Sequence, residues 1–165
     1  MRLSFTTATQ ADAPALVAMR NEVAARLSRD HGSGHWSHAV TERGVLRGLK
    51  TSRVLVARNA DAIVGTLRLA TQKPWAIDPS YFTGVKRALY LLDMAVAPGI
   101  QNQGIGRQLL DEAEAVARAW PADSIRLDAY DAAAGAGAFY ARCGFREVGR
   151  VVFRTVPLIY YERLL

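Results

Sequence analysis

The stretch from Leu91 to Leu110 has the residue types and spacing to hold an anionic ligand. An apolar run passes through Pro98 and Gly99 into Gln101-Asn-Gln-Gly-Ile-Gly, and a segment with helical spacing begins there. The first turn of a helix carries unpaired N–H groups and the positive end of the helix dipole. Glycine at its entrance lets backbone approach a bulky anion, so strand, glycine turn and helix together make a phosphate site. The segment lacks the Lys-Ser/Thr of a P-loop and the third glycine of a dinucleotide fingerprint.

Other chemistry-bearing residues are sparse. His31, His35 and His38 lie within eight residues, but Gly32 and Gly34 interrupt any helix there, and no acid or cysteine completes a metal set. We therefore expect no metal. Cys143 is the single cysteine and has no histidine near it in sequence, so a small buried residue is expected rather than a nucleophile. Trp75, Tyr81 and Phe82 sit in a long connection, residues 71–86, and are candidate contacts to a substrate under a partly aromatic lid.

The elements that must position these residues follow from periodicity. Leu3–Thr7 alternates as a strand. A helix with Leu16, Val17, Met19, Val23 and Leu27 on its apolar side follows, with Thr9 or Asp12 as its cap and Pro14 in its first turn. Residues 29–38 read as a polar loop, and Val40 to Leu49 as a second helix. Arg53–Arg58 and Ala62–Ala70 read as a strand pair around a turn at Asn59. Arg87–Val96 reads as a buried strand, and Gly104–Trp120 as the clearest helix, stopped by Pro121. Ser124–Ala129 is a further strand and Gly135–Cys143 a short helix ended by Gly144. Phe145–Arg154 and Leu158–Leu164 are closing strands. The order β-α-α-β-β-β-α-β-α-β-β predicts one α+β domain over residues 1–165.

Composition bounds the function classes. Half of the 165 residues are hydrophobic and 22 % charged, which supports a packed core. No apolar stretch approaches the roughly 20 residues of a membrane span. The first residues carry no apolar signal region, so the expected compartment is the cytoplasm. The formal charge is +6, with 18 arginines and three lysines among 21 basic residues. They are scattered, without the basic stripe and stacking aromatics of a nucleic-acid binder. A small polyanion is the expected partner, with neither nucleic acid nor membrane; a homodimer stays open.

Two motifs carry a family resemblance. Gln101-Asn-Gln-Gly-Ile-Gly resembles the Gln/Arg-x-x-Gly-x-Gly/Ala signature of GNAT acetyltransferases, placed after Val96 and Pro98 as in that family. Phe139-Tyr-Ala-Arg-Cys-Gly-Phe resembles its second motif, an aromatic-Tyr helix end. The resemblance covers nearly the whole chain. It implies a mixed, mainly antiparallel sheet of six to seven strands with about four helices. It also implies acetyl-CoA as co-substrate, with the backbone of Met94, Ala95 and Val96 along the pantetheine arm. Residues 101–107 (Gln101, Asn102, Gln103, Gly104, Ile105, Gly106, Arg107) are implied around the pyrophosphate, and Arg142 near the 3′-phosphate. Tyr140 falls where the family places a general acid.

The general base is less clear. Many family members carry a glutamate where this chain has Tyr90 or Leu92. Asp93 is the only acid on that strand. Its one-residue offset turns it to the opposite face unless a bulge intervenes, so a structural role is expected for it. Tyr90, Asp93, Asp128 and a water relay remain candidates. The expected reaction is acetyl transfer to a primary amine, in a ternary complex and by direct attack, with a small-molecule acceptor of unknown identity. The alternative is a non-catalytic GNAT-like domain that binds acyl-CoA as a sensor or partner.

Overall fold

Alternating apolar residues form strand β1 (Leu3–Thr7), and helical spacing then builds α1 (Ala13–His31) and α2 (Glu42–Thr51). Strands β2 (Arg53–Asn59), β3 (Ala62–Ala70) and β4 (Ala88–Val96) follow, then helix α3 (Ile105–Ala119). Strand β5 (Ser124–Tyr130), helix α4 (Gly137–Arg142) and strands β6 (Arg146–Phe153) and β7 (Val156–Leu164) complete the chain. The computed structural model describes residues 1–165. The seven strands form a mixed sheet in the order β1-β2-β3-β4-β5-β7-β6. Pairs β1/β2, β2/β3, β5/β7 and β6/β7 are antiparallel, and β4/β5 is parallel. This is the expected α+β class with seven strands and four α-helices.

The chain gathers into two compact units, Met1–Leu69 with Leu92–Ala113, and Ala70–Leu91 with Glu114–Leu165. In the first, Leu16 and Met19 of α1 pack with Val45 of α2 and Val54, Val56 and Ile63 of the sheet. Asn21 ties α1 to the start of α2, donating to the Val40 carbonyl at 3.0 Å and accepting from the Val40 N–H at 2.7 Å. In the second, the rings of Tyr140, Phe145 and Tyr161 pack between α4 and β7.

Among the boundaries that differ from the sequence reading, three have a clear local reason. Helix α1 runs on through Arg29–His31, where a loop was expected, until Gly32 turns left-handed at φ 78°. The Arg26–Asp30 ion pair, 2.7 Å and four residues apart, supports that last turn. Helix α2 starts at Glu42 rather than Val40, because the Thr41 hydroxyl accepts from Gly44 N–H at 3.1 Å as its cap. Strands β6 and β7 meet in a tighter hairpin than expected. Phe153 faces Val156, and Arg154 and Thr155 make the turn with φ of 47° and 72°. Two left-handed central residues are the type I′ geometry, which ordinarily signals itself through Asn-Gly; here neither is present.

That turn generates a stability prediction. A β-branched residue in left-handed backbone costs roughly 1 kcal/mol. Thr155→Gly is expected to raise Tm by about 2–4 °C in thermal unfolding. An unchanged or lower Tm contradicts the strain at this turn.

Candidate active site

The glycine turn joins β4 to α3 within the first unit. Beyond Val96, the Ala97 N–H bonds to the Val64 carbonyl at 2.9 Å, and Pro98–Ile100 form a single helical turn. Gln101 folds its side-chain amide back onto the Val96 carbonyl at 2.9 Å, which fastens the loop to the end of the strand. Asn102 and Gly104 are both left-handed, at φ 63° and 82°. The first α3 bond then runs from Gln108 N–H to the Gly104 carbonyl at 3.1 Å. Gly104 therefore stands at the helix entrance, and the first-turn N–H groups have no acceptor within the helix.

Space and packing at this entrance have separate sources. A side chain built at Gly104 would meet nothing closer than Gln108 Nε2 at 4.0 Å, so the loop faces open space. Gln101, Asn102, Gln103, Gly104 and Arg107 are exposed, and Gly106 half-buried, while Ile105 and Leu109 are buried. The helix is seated by Gly65 of β3, where a Cβ would sit 2.8 Å from Leu109 Cδ1 and 3.3 Å from Ile105 Cγ2. The sequence reading gave Gly65 no role. Its only trace is a glycine inside an apolar strand, which marks close backbone approach.

Strand β4 carries the bulge that was left open. Asp93 has φ 54°, so strict alternation breaks there. Its Oδ1 pairs with Arg20 Nη2 at 3.0 Å and its Oδ2 with Arg68 Nε at 2.5 Å. Both carboxylate oxygens thus face guanidinium groups from α1 and β3. Met94, Ala95 and Val96 follow the bulge and are half-buried.

Tyr90, Tyr140, Arg142 and the candidate acceptor aromatics belong to the second unit. Tyr90 is buried, and its hydroxyl accepts from Arg126 Nη1 at 3.2 Å. Tyr140 is buried against Phe139, Phe145 and Tyr161. Burial first, and then the negative charge of Asp128, push its hydroxyl well above the ordinary tyrosine range. Asp128 on β5 is half-buried, and that burial raises its carboxyl above the usual value. Arg142 lies exposed in the last turn of α4, and Cys143 behind it is buried.

Residues 71–86 are tied down onto β7. The Tyr160 hydroxyl donates to the Ala76 carbonyl and accepts from Asp78 N–H at 3.1 Å. Tyr81 and Phe82 pack on the Tyr160 ring with centroids 5.4 and 5.2 Å away, and Phe82 is buried. Trp75, by contrast, is 88 % exposed. Glu162 is buried and accepts from Thr83 N–H at 3.0 Å, the Thr83 hydroxyl at 2.6 Å and Arg146 at 2.6 Å. His31 ends α1, His35 opens a helical turn and His38 follows it. No group of three or more His, Cys, Asp or Glu side chains is placed to hold a metal ion. No helix is long and apolar enough to cross a membrane.

Residues 50–147, more than half of the chain, match the family model for the GNAT acetyltransferase domain. The chain belongs to the GNAT acetyltransferase family. No curated protein sequence matches it significantly. Among solved structures, the ribosomal-protein-alanine N-acetyltransferase from Brucella melitensis superposes with a TM-score of 0.75 at 24 % identity, over 98 % of this chain and 99 % of that one. The PaiA N-acetyltransferase from Thermoplasma acidophilum, solved in complex with coenzyme A, gives 0.77 at 16 % identity over 100 % of both chains. The yncA protein of Salmonella typhimurium, solved with its cofactor acetyl-CoA, gives 0.70 at 20 % identity over 99 % of this chain and 94 % of that one. These likenesses establish the shared fold.

The Glu162 cluster yields a signed pH prediction. Burial alone would raise this carboxyl, but hydrogen bonds from Thr83 and Arg146 outweigh it and hold it below the ordinary value. A depressed folded-state value means the carboxylate stabilises the fold above the unfolded-state value. That contribution is lost as pH falls through the folded-state value. Glu162→Gln is expected to cost about 1–3 kcal/mol near neutral pH in urea unfolding. The difference from wild type should shrink below about pH 4. A difference independent of pH contradicts a charged Glu162.

Proposed function

We propose that the chain transfers the acetyl group of acetyl-CoA to a primary amine on a small molecule, by direct attack in a ternary complex. The observation that carries this reading is the joint of β4 and α3. Gln101 fastens the loop to Val96, and left-handed Asn102 and Gly104 open the N-terminus of α3 to empty space, on a chain of this family. That entrance fits a pyrophosphate: N–H groups with no helical acceptor, a dipole of the right sign and no side chain in the way. Relatives of the same fold solved with coenzyme A or acetyl-CoA support the choice of co-substrate. Met94, Ala95 and Val96 would line its pantetheine arm, with Arg107 and Arg142 as phosphate contacts. The reading places the protein in the cytoplasm and requires no metal.

Acetyl-CoA supplies an activated thioester: the amine nitrogen bonds to its carbonyl carbon, the C–S bond breaks and CoA leaves as the thiolate. Tyr140 keeps its proton, because burial and nearby negative charge oppose ionisation. A thiol has a pKa of about 8.5, so complete proton transfer from this tyrosine is uphill. Its contribution is a hydrogen bond to the sulfur as charge develops there. For the base, Asp128 fits better than Asp93 or Tyr90. Both oxygens of Asp93 face guanidiniums, and the Tyr90 hydroxyl is tied to Arg126. Burial leaves the Asp128 carboxyl readier to take the proton shed by the attacking amine.

The test combines calorimetry with a thiol-release screen over a panel of amines. Acetyl-CoA is expected to bind with micromolar affinity that weakens with salt, as phosphate charges demand. Gly104→Val should stay folded and lose that binding. Its side chain fills the open entrance and is strained at this φ. Unaltered binding by the variant would place the phosphate site elsewhere. Binding without thiol release from any amine favours the second reading, a non-catalytic acyl-CoA-binding domain, for which Tyr90 and Leu92 in place of glutamate speak.

Two substitutions separate the chemical roles. Tyr140→Phe keeps the ring packing and is expected to slow single turnover by roughly 100-fold with little change in acetyl-CoA affinity. An unchanged single-turnover rate refutes the donor assignment. Asp128→Asn should slow turnover yet raise Tm near neutral pH. A carboxyl whose folded-state value is raised destabilises the fold above that value, and the penalty fades as pH falls toward the unfolded-state value. A lower Tm for this variant at neutral pH, or full activity, contradicts a buried base.

A further inference from the structure

Within the first unit, α1, α2 and the sheet border a small recess that is open to solvent. Its apolar wall includes Val45, Val54 and Leu67, and its polar edge is Arg20, Arg68 and Asp93. Gly44 and Gly48 of α2 also face it, and the absent side chains leave it room. The apolar wall beside a charged edge suits one end of a small amphipathic molecule.

We infer that this recess binds the acceptor through Arg20 and Arg68, and that the acceptor is a small primary amine carrying a carboxylate, such as an α-amino acid. The inference rests on the acetyl-transfer reading and adds its substrate class. Two guanidiniums share one carboxylate here, so the cluster carries a net charge of +1 (two positive, one negative). The cluster is reachable from solvent, with side-chain exposures of 22, 25 and 34 % for Arg20, Arg68 and Asp93. The surplus positive charge at this accessible edge attracts one further anionic group. Each ion pair to Asp93 engages one nitrogen of a five-donor fork, Nη2 of Arg20 and Nε of Arg68. The guanidinium geometry matches a carboxylate in two-point contact, and the apolar wall accommodates a short side chain. Asp93 directly precedes Met94, the first residue assigned to the acetyl-CoA arm. One lining residue of the recess thus adjoins the segment that the reading gives to acetyl-CoA.

The experiment is steady-state thiol release with acetyl-CoA and a panel of α-amino acids, each compared with its own carboxamide. Wild type, Arg20→Gln, Arg68→Gln and Arg68→Lys are tested, with acetyl-CoA calorimetry on each. We expect kcat/KM for the acids to exceed that for the amides by roughly tenfold or more, the loss expected for one charged hydrogen bond. Either glutamine variant should bring the ratio close to one, a ratio that a change in acetyl-CoA affinity leaves untouched because acid and amide share the co-substrate, and Arg68→Lys should restore part of it. Equal turnover of acids and amides by wild type, release with neither, or an intact ratio in both glutamine variants overturns this inference. The wild-type comparison stands even if a variant misfolds. Acetyl-CoA binding together with release from amines lacking a carboxylate leaves the acetyl-transfer reading standing. Absence of acetyl-CoA binding overturns both.

Discussion

The first unit depends on the pairing of Asp93 with Arg20 and Arg68. Asp93 holds left-handed backbone in the middle of β4, a conformation that costs a non-glycine residue roughly 1 kcal/mol or more. Two ion pairs from two different elements lock it there. An exposed pair contributes at most about 1 kcal/mol. Two such pairs converge on one carboxylate here, so together they can offset the strain. The same contacts join α1, β3 and β4 at the point from which Met94–Val96 lead into the glycine turn.

The second unit solves a different problem with similar means. A long connection of low regularity has to be held against a sheet. Tyr160 receives it through backbone bonds at Ala76 and Asp78, and Glu162 through Thr83. Arg126 is buried beneath it, bonded to the Thr83 carbonyl at 2.8 Å and stacked 5.1 Å from the Phe82 ring centre. Cation–ring contact of this kind compensates part of a guanidinium's desolvation. Phe82 is therefore part of the packing of this connection, Tyr81 packs one side of its ring on Tyr160 while staying exposed, and Trp75 stands out from it.

Much of this architecture was legible in the sequence because it rests on local signals. Leu3–Thr7 and Ala62–Ala70 fall where alternation and apolar runs put them, and α3 begins at the glycines that mark its entrance. Tyr140 and the residues from Gln101 to Arg107 stood out through motif spacing. The rest was not legible because its causes are not local. The Asp93 bulge depends on arginines from two other elements, and alternation along one strand cannot report it. The seat that Gly65 gives to α3 is a contact across 40 or more positions, visible in the chain only as one glycine. The turn at Arg154 and Thr155 lacks the residues that ordinarily announce its type, and the buried environment of Asp128 exists only once β5 pairs with β7.

The central claim is that the N-terminus of α3 receives the phosphates of acetyl-CoA. The most direct measurement is a backbone amide NMR titration with acetyl-CoA. The account predicts that the largest shifts fall on the amides of residues 102–107, with smaller ones along Met94–Val96. Saturable binding that leaves the 102–107 amides unmoved, with the largest shifts elsewhere in the chain, would contradict it.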